Sequence, residues 1–359
     1  MFSNYFLKSF RILLLPFALP YWIGILIRNW FYDKKILGST SFGIPLICIG
    51  NLSVGGTGKS PMVENLVILL KDTFKVATLS RGYKRKTKGY ALAGENSTAL
   101  EIGDEPMQFH IKFPEIAVAV GEKRVEAIPQ LLHDRPETDV IILDDAFQHR
   151  SIKAGLNILL TDFNNLFTRD FYLPTGDLRD QKSSYKRAEI IIVTKCNKNL
   201  TEVERDNIIK EINPTAGQNI FFTAIEYSRP YHIITNKEKG VESKLEVLLV
   251  SGIANPRPLK KLLEEYSASY QMLQYPDHHI FSFDDLEDIK KAFNEIKAKD
   301  KVILTTEKDA VRLIKFTNEI KELPFYVVPI RHQFLFGDKE KFDKLVVDFI
   351  NNFRQSHKK

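Results

Sequence analysis

Ser53-Val54-Gly55-Gly56-Thr57-Gly58-Lys59-Ser60 follows an apolar, strand-like run at residues 45–49 and opens a helical pattern. Glycines at a strand-to-helix turn leave backbone N–H groups free to wrap phosphate oxygens. Lys59 then reaches the terminal phosphates and the Ser60 hydroxyl can hold Mg²⁺, so residues 53–60 form a nucleotide-binding phosphate loop that implies ATP and Mg²⁺. Ser53 stands where the G-x-x-x-x-G-K-[ST] pattern has glycine, and the GGTGKS core with its context carries the motif.

Outward from the loop, short apolar runs at residues 75–79, 115–120, 139–143, 156–160 and 189–193 alternate with helical patterns. Such alternation predicts an α/β fold, a P-loop NTPase-like, doubly wound and mainly parallel sheet with ligands at the strand carboxyl ends. A second, smaller α/β domain begins near Leu245, where the run 245–250 turns through Ser251-Gly252-Ile253-Ala254-Asn255-Pro256 into a helix, and the run 301–304 leads into Thr305-Thr306-Glu307-Lys308-Asp309-Ala310. Residues 221–235 and 324–329 read as extended and predict a two-stranded linker, followed by an amphipathic helix over 339–353. The expected division is a membrane-associating helix (1–37), a P-loop domain (38–220), a linker strand region (221–244), the second domain (245–323), and a return strand with the C-terminal helix (324–359).

The 359 residues carry a formal net charge of +6. That charge suits an anionic partner, nucleic acid or acidic lipid headgroups, and equally a plain basic surface. No zinc-knuckle spacing or aromatic RNA-binding strand is present, so no nucleic-acid partner is expected. Cys48 and Cys196 lie in or beside apolar runs and read as free thiols of a reducing cytoplasm. Residues 12–27 carry no formal charge and lie between Arg11 and Arg28, with Tyr21, Trp22, Trp30, Phe31 and Tyr32 near one end. A spanning helix needs about 20 apolar residues. This run is shorter and contains Pro16 and Pro20, so it reads as an interfacial anchor with aromatic and basic flanks. A signal peptide is the other reading, and no small-residue cleavage site accompanies it.

Five further constellations carry chemistry. Val140-Ile141-Ile142-Leu143-Asp144-Asp145 is an apolar strand ending in two acids, placed to orient Mg²⁺ or to cap a following helix. In Gly103-Asp104-Glu105-Pro106, Asp104 is either a base for an acceptor hydroxyl or a helix N-cap. Arg179, in Leu173-Pro174-Thr175-Gly176-Asp177-Leu178-Arg179, and the basic segment 79–86 can meet phosphates or simply face solvent. Asp277-His278-His279 lacks further zinc ligands at useful spacing and is either a tuned Asp-His pair or a surface loop.

Taken in order, GNLSVGGTGKSP (50–61), LSRGY (79–83), GDEP (103–106), LDDAFQHR (143–150), LPTGDLRD (173–180), PDHH (276–279) and TEKDAV (306–311) closely resemble the tetraacyldisaccharide 4'-kinase, or lipid A 4'-kinase, family across almost the whole chain. The resemblance implies transfer of the ATP γ-phosphate to the 4'-hydroxyl of an acylated glucosamine disaccharide 1-phosphate, by a monomer at the anionic, cytoplasmic face of the bacterial inner membrane. It further implies Asp104 as catalytic base paired with His278, Arg179 near the reacting phosphates, and Glu105, Asp144 and Asp145 serving Mg²⁺-ATP. Ala146 replaces a glycine expected in the family motif, harmless if its φ is ordinary and disruptive in a tight turn. The competing function is a membrane-associated P-loop ATPase that uses hydrolysis as a conformational switch.

Overall fold

Strands covered on both faces must be apolar on both faces, and the runs around the phosphate loop meet that condition. In the computed structural model, which describes residues 11–240 and 245–357, Leu46–Asn51 (β1), Val76–Ser80 (β2), Val140–Leu143 (β5) and Ile190–Thr194 (β7) are buried at every position. With Ala91–Leu92 (β3), Ala117–Val120 (β4), Leu156–Asp162 (β6), Asn219–Tyr227 (β8) and Ile330–Phe334 (β14) they form a nine-stranded sheet ordered β14-β8-β7-β6-β1-β5-β2-β4-β3. The pairings from β8 through β4 are parallel, and β3 and β14 are antiparallel edges. Alternate residues divide between two cores: Leu46, Cys48, Ile141 and Leu143 on one face, Ile47, Ile49, Val140 and Ile142 on the other.

A second sheet orders Ser269–Gln274 (β11), Glu246–Ser251 (β10), Lys301–Thr306 (β12), Phe325–Val328 (β13) and Tyr231–His232 (β9), parallel except for β9. It has its own cores, including Leu248, Ile303 and Phe325 on one side and Leu249, Leu304 and Leu263 on the other. The helix Lys339–Ser356 returns to the first sheet, burying Phe342, Val346 and Ile350 one turn apart against the core that includes Phe221.

The linker matches its expectation in part. Residues 231–232 and 325–328 do pair antiparallel, Tyr326↔His232 and Val327↔Tyr231, but as the edge of the second sheet, while the return strand beside 223–227 is β14, paired antiparallel with β8 from Ile330↔Tyr227 to Phe334↔Thr223. Pro329 separates the two strands, because it has no N–H to donate to either ladder.

The N-terminal apolar run also differs. After a 3₁₀ turn at Ile12–Leu14, the helix Leu15–Asp33 continues through Pro20. Proline forfeits one hydrogen bond to the carbonyl four residues earlier, here Pro16 in the first turn, so the loss falls at the exposed end. Ile12–Asp33 is long and apolar enough to cross a membrane by length and composition. Residues 1–10 of the expected anchor and 241–244 of the expected linker lie outside the described residues.

Candidate active site

β1 delivers the phosphate loop to the helix Lys59–Leu70, and β1 and β5 are hydrogen-bonded neighbours, so Asp144 and Asp145 leave the sheet beside the loop. Close approach is possible because residue 50 is glycine: a Cβ there would lie 2.5 Å from the Phe147 Cβ. Ser53 is buried in an antiparallel bridge with Leu178 and has no positive φ, which explains why glycine is dispensable there. Val54, Gly55 and Gly56 are exposed, whereas Thr57 is buried and its hydroxyl accepts a 2.9 Å bond from the Asn51 amide. The segment 173–181 braces the loop, with Val54 N–H donating to Asp177 O at 2.7 Å and Arg179 N–H to Leu52 O at 2.8 Å.

Lys59 Nζ lies 3.6 Å from Asp145 Oδ1. Burial pushes the lysine pKa below its ordinary value, and Asp145 opposes that shift. Arg179 grips both oxygens of the same carboxylate, Nη1 to Oδ2 at 3.1 Å and Nη2 to Oδ1, and also reaches Asn51 Oδ1. Burial would raise the Asp145 pKa, but Lys59 and Arg179 outweigh it and hold the group below the usual carboxylate range. Asp145 adopts φ 49°, whereas Ala146 has no positive φ, so the methyl in place of glycine is tolerated.

Asp144 behaves oppositely. Burial, reinforced by the Asp145 charge, pushes it up to about 6, and its Oδ1 is buried with no hydrogen-bond partner. An orphaned carboxylate oxygen in a negative setting fits a cation. Among the described residues no three His, Cys, Asp or Glu side chains form a preassembled metal cage. A hard cation bound through one hydroxyl, one carboxylate and substrate phosphates needs none, so Ser60 and Asp144 fit Mg²⁺. Neither acid caps a helix, since a turn follows β5.

A third carboxylate, Asp104, is held from both sheets. The helix Asp104–Lys112 begins after Gly103, and Asp104 makes no capping bond. Its Oδ2 instead accepts from His278 Nδ1 at 2.8 Å, and its Oδ1 accepts from Arg312 Nε at 3.1 Å. Burial raises the Asp104 pKa, but hydrogen bonds from Arg312 and His278 outweigh it and bring the group below its ordinary value. His279 turns away to Asp285 Oδ2 at 2.9 Å. Glu105 is engaged by Lys308 Nζ at 2.6 Å, which, against burial, holds its carboxyl low. In the basic segment, Arg85 bonds Glu122 at 2.7 Å, while the exposed Tyr83 ring meets His278 edge-on at 6.0 Å.

Sequence reasoning missed Arg312 and Lys308. Both lie in or just beyond TEKDAV, on the helix Glu307–Leu313 opened by the Thr306 cap, so side chains one turn apart share the face turned to Asp104 and Glu105. A third crossing, Lys112 Nζ to Glu307 Oε1, with Glu64 Oε2 of the same half 2.5 Å from the same amine, was equally unannounced.

The apolar helix Leu15–Asp33 also reaches the site. Asn29, only 2% exposed, donates to Asp180 Oδ1 at 2.8 Å, and Tyr21 Oη donates to Arg179 O at 3.4 Å. At its other end, Arg11 bonds Pro174 O at 2.9 Å and Asp177 Oδ1 at 2.8 Å. Leu13, Phe17, Leu19, Ile27 and Trp30 stay exposed.

The family model described as Tetraacyldisaccharide-1-P 4'-kinase matches residues 10–351. The chain is 46% identical over 341 residues to the tetraacyldisaccharide 4'-kinase of Flavobacterium johnsoniae, covering 95% of this chain and 97% of that protein. It is 42% identical over 358 residues to that of Bacteroides thetaiotaomicron, covering 96% and 94%. A crystal structure of LpxK from Aquifex aeolicus in complex with ATP is similar with a TM-score of 0.74 at 28% identity, covering 95% of this chain and 99% of that one. The chain therefore belongs to the tetraacyldisaccharide-1-P 4'-kinase family.

Proposed function

We propose that this chain transfers the γ-phosphate of ATP to the 4'-hydroxyl of an acylated glucosamine disaccharide 1-phosphate, a step of lipid A biosynthesis. The observation that carries this reading is Asp104, a carboxylate from the phosphate-loop half held by His278 and Arg312 of the other half. A hydrolytic switch needs no such acceptor-side base.

Backbone N–H groups of residues 55, 56 and 58–60 bind the ATP phosphates, and Lys59 reaches the β and γ groups. Asp145 holds Lys59 and Arg179 together, so two cations meet the negative charge of the transferring group. Mg²⁺, when bound, neutralises β- and γ-phosphate charge. Ser60 and Asp144 are the residues that would hold it, with Asp145 and Glu105 beside them. Asp104 orients the acceptor hydroxyl and takes its proton, and the hydrogen bonds from His278 and Arg312 keep its carboxylate ionised and aimed. Phosphate-loop chemistry belongs to residues 38–220 and acceptor-side support to 245–323, joined by the linker.

The apolar helix lies along the bilayer surface. Supporting this placement over a spanning one, Arg11 and Asn29 bond the same segment of the protein body, at residues 174–180. Its exposed apolar side chains enter the headgroup boundary on the cytoplasmic face of the inner membrane, where ATP is available and anionic lipid attracts the basic chain.

The test is incubation with radiolabelled ATP, Mg²⁺ and an acylated disaccharide 1-phosphate, followed by chromatography of the lipid phase. Labelled lipid is expected. Steady ATP hydrolysis with no labelled lipid would establish the switch reading instead.

A further inference from the structure

β8 and β14 pair with each other and are also the chain's passages between the two sheets, β8 running on towards β9 and β14 arriving from β13. His332 sits on β14 opposite Ile225 and is buried, 6% exposed. Its Nε2 lies 2.9 Å from the carbonyl oxygen of Gly58 and its Nδ1 lies 2.9 Å from Thr223 Oγ1 on β8. A carbonyl can only accept, so Nε2 carries the proton, and Nδ1 is left to accept from the Thr223 hydroxyl. Burial, which pushes the His332 pKa down, favours this neutral ring. The ring also packs on the glycine, where a Cβ would lie 3.0 Å from His332 Cε1.

In a trans peptide the C=O and the following N–H point in opposite directions. The Gly58 carbonyl also accepts the first helix bond, from Met62 N–H at 3.2 Å, and the shorter bond from His332 at 2.9 Å fixes the same peptide plane, with the Lys59 N–H pointing away from that carbonyl. The preceding peptide is treated alike, because Thr194 Oγ1 donates to Thr57 O at 2.9 Å and so sets the Gly58 N–H. Two successive amides at the start of the helix are thus aimed from behind.

We propose that His332, held as the Nε2–H tautomer by Thr223, is a positioning residue that aims the Lys59 N–H at the nucleotide phosphates. It touches no substrate and acts through the Gly58–Lys59 peptide. This inference rests on the kinase reading above.

The experiment compares the wild type with His332→Leu, His332→Gln and Thr223→Val in the lipid-labelling assay, and records ¹⁵N correlation spectra of the wild-type histidine rings at neutral pH. His332→Leu should raise KM for ATP about tenfold, the equivalent of one lost hydrogen bond, while KM for the lipid acceptor is unchanged. His332→Gln restores a donor and should recover most of that loss, with Thr223→Val intermediate. The ring spectrum should show the neutral Nε2–H pattern. An Nδ1–H pattern, a normal KM for ATP in His332→Leu, or equal impairment by Leu and Gln would overturn the proposal. Failure of the wild type to label lipid would instead overturn the kinase reading, and the ring spectrum still judges the tautomer.

Discussion

Asp145 and Asp104 are both carboxylates gripped by an arginine and held below their ordinary pKa against burial, yet they are built differently. Arg179 and Lys59 engage Asp145, and Asn51 in turn bonds Arg179, from elements that all border the first sheet. Asp104 takes His278 from 174 residues away and Arg312 from 208 away, both from the second sheet's side. The Asp145 cluster can therefore form within one half, whereas the Asp104 cluster exists only when the two halves meet.

Asp104→Ala breaks the Asp104 cluster alone: with Asp104 as the proposed base, kcat should fall roughly 10²- to 10⁴-fold, the range for loss of a general base, while ATP binding measured by calorimetry stays near normal. Loss of ATP binding in that variant would erase the distinction between the two regions. Lys59→Ala is the converse, expected to cost about 10²- to 10³-fold in kcat/KM for ATP with KM for the acceptor preserved.

Arg312→Gln sharpens the comparison, because it removes a partner supplied across the interface. The expected loss in kcat is roughly 10- to 100-fold, the size of a charged hydrogen bond. The sign of its pH effect follows from the cause: Arg312 lowers the Asp104 pKa and burial raises it. Without the guanidinium the folded pKa rises, so the acidic limb of the kcat profile moves to higher pH. An unmoved limb would remove Arg312 from control of that carboxylate.

Deleting residues 1–32 should release the protein from anionic vesicles in a flotation assay, and persistent flotation would place the anchor elsewhere. Asn29→Ala tests whether the helix also steadies the Arg179 segment. The Asp180 carboxylate keeps Ser184 and Arg187 as partners at 3.1 and 2.9 Å, so only a few-fold fall in kcat is expected, about 1 kcal/mol for one hydrogen bond, with membrane binding intact.

The phosphate loop was legible because its function resides in consecutive backbone amides and the two residues after them. The Asp144-Asp145 strand end was legible for the same reason, since a buried β-branched run announces its own terminus. The two readings of Asp104 were not separable locally, because whether it caps its own helix or pairs with a distant histidine and arginine shows only once the second half arrives. Arg312 follows TEKDAV directly, but nothing in its own neighbourhood distinguishes it from a solvated helix arginine. The return strand was misplaced by a few residues, because 325–328 and 330–334 are both extended and only the partner strand tells them apart.

Local chemistry alone thus determined the nucleotide loop, the parallel α/β halves and the apolar N-terminal helix, since each depends on neighbours within a turn or a strand. Tertiary structure decided which histidine meets Asp104, which arginine holds it, where Asn29 docks and what stands behind Gly58. Those contacts join residues far apart in sequence, and their geometry exists only once two sheets and their linker have packed.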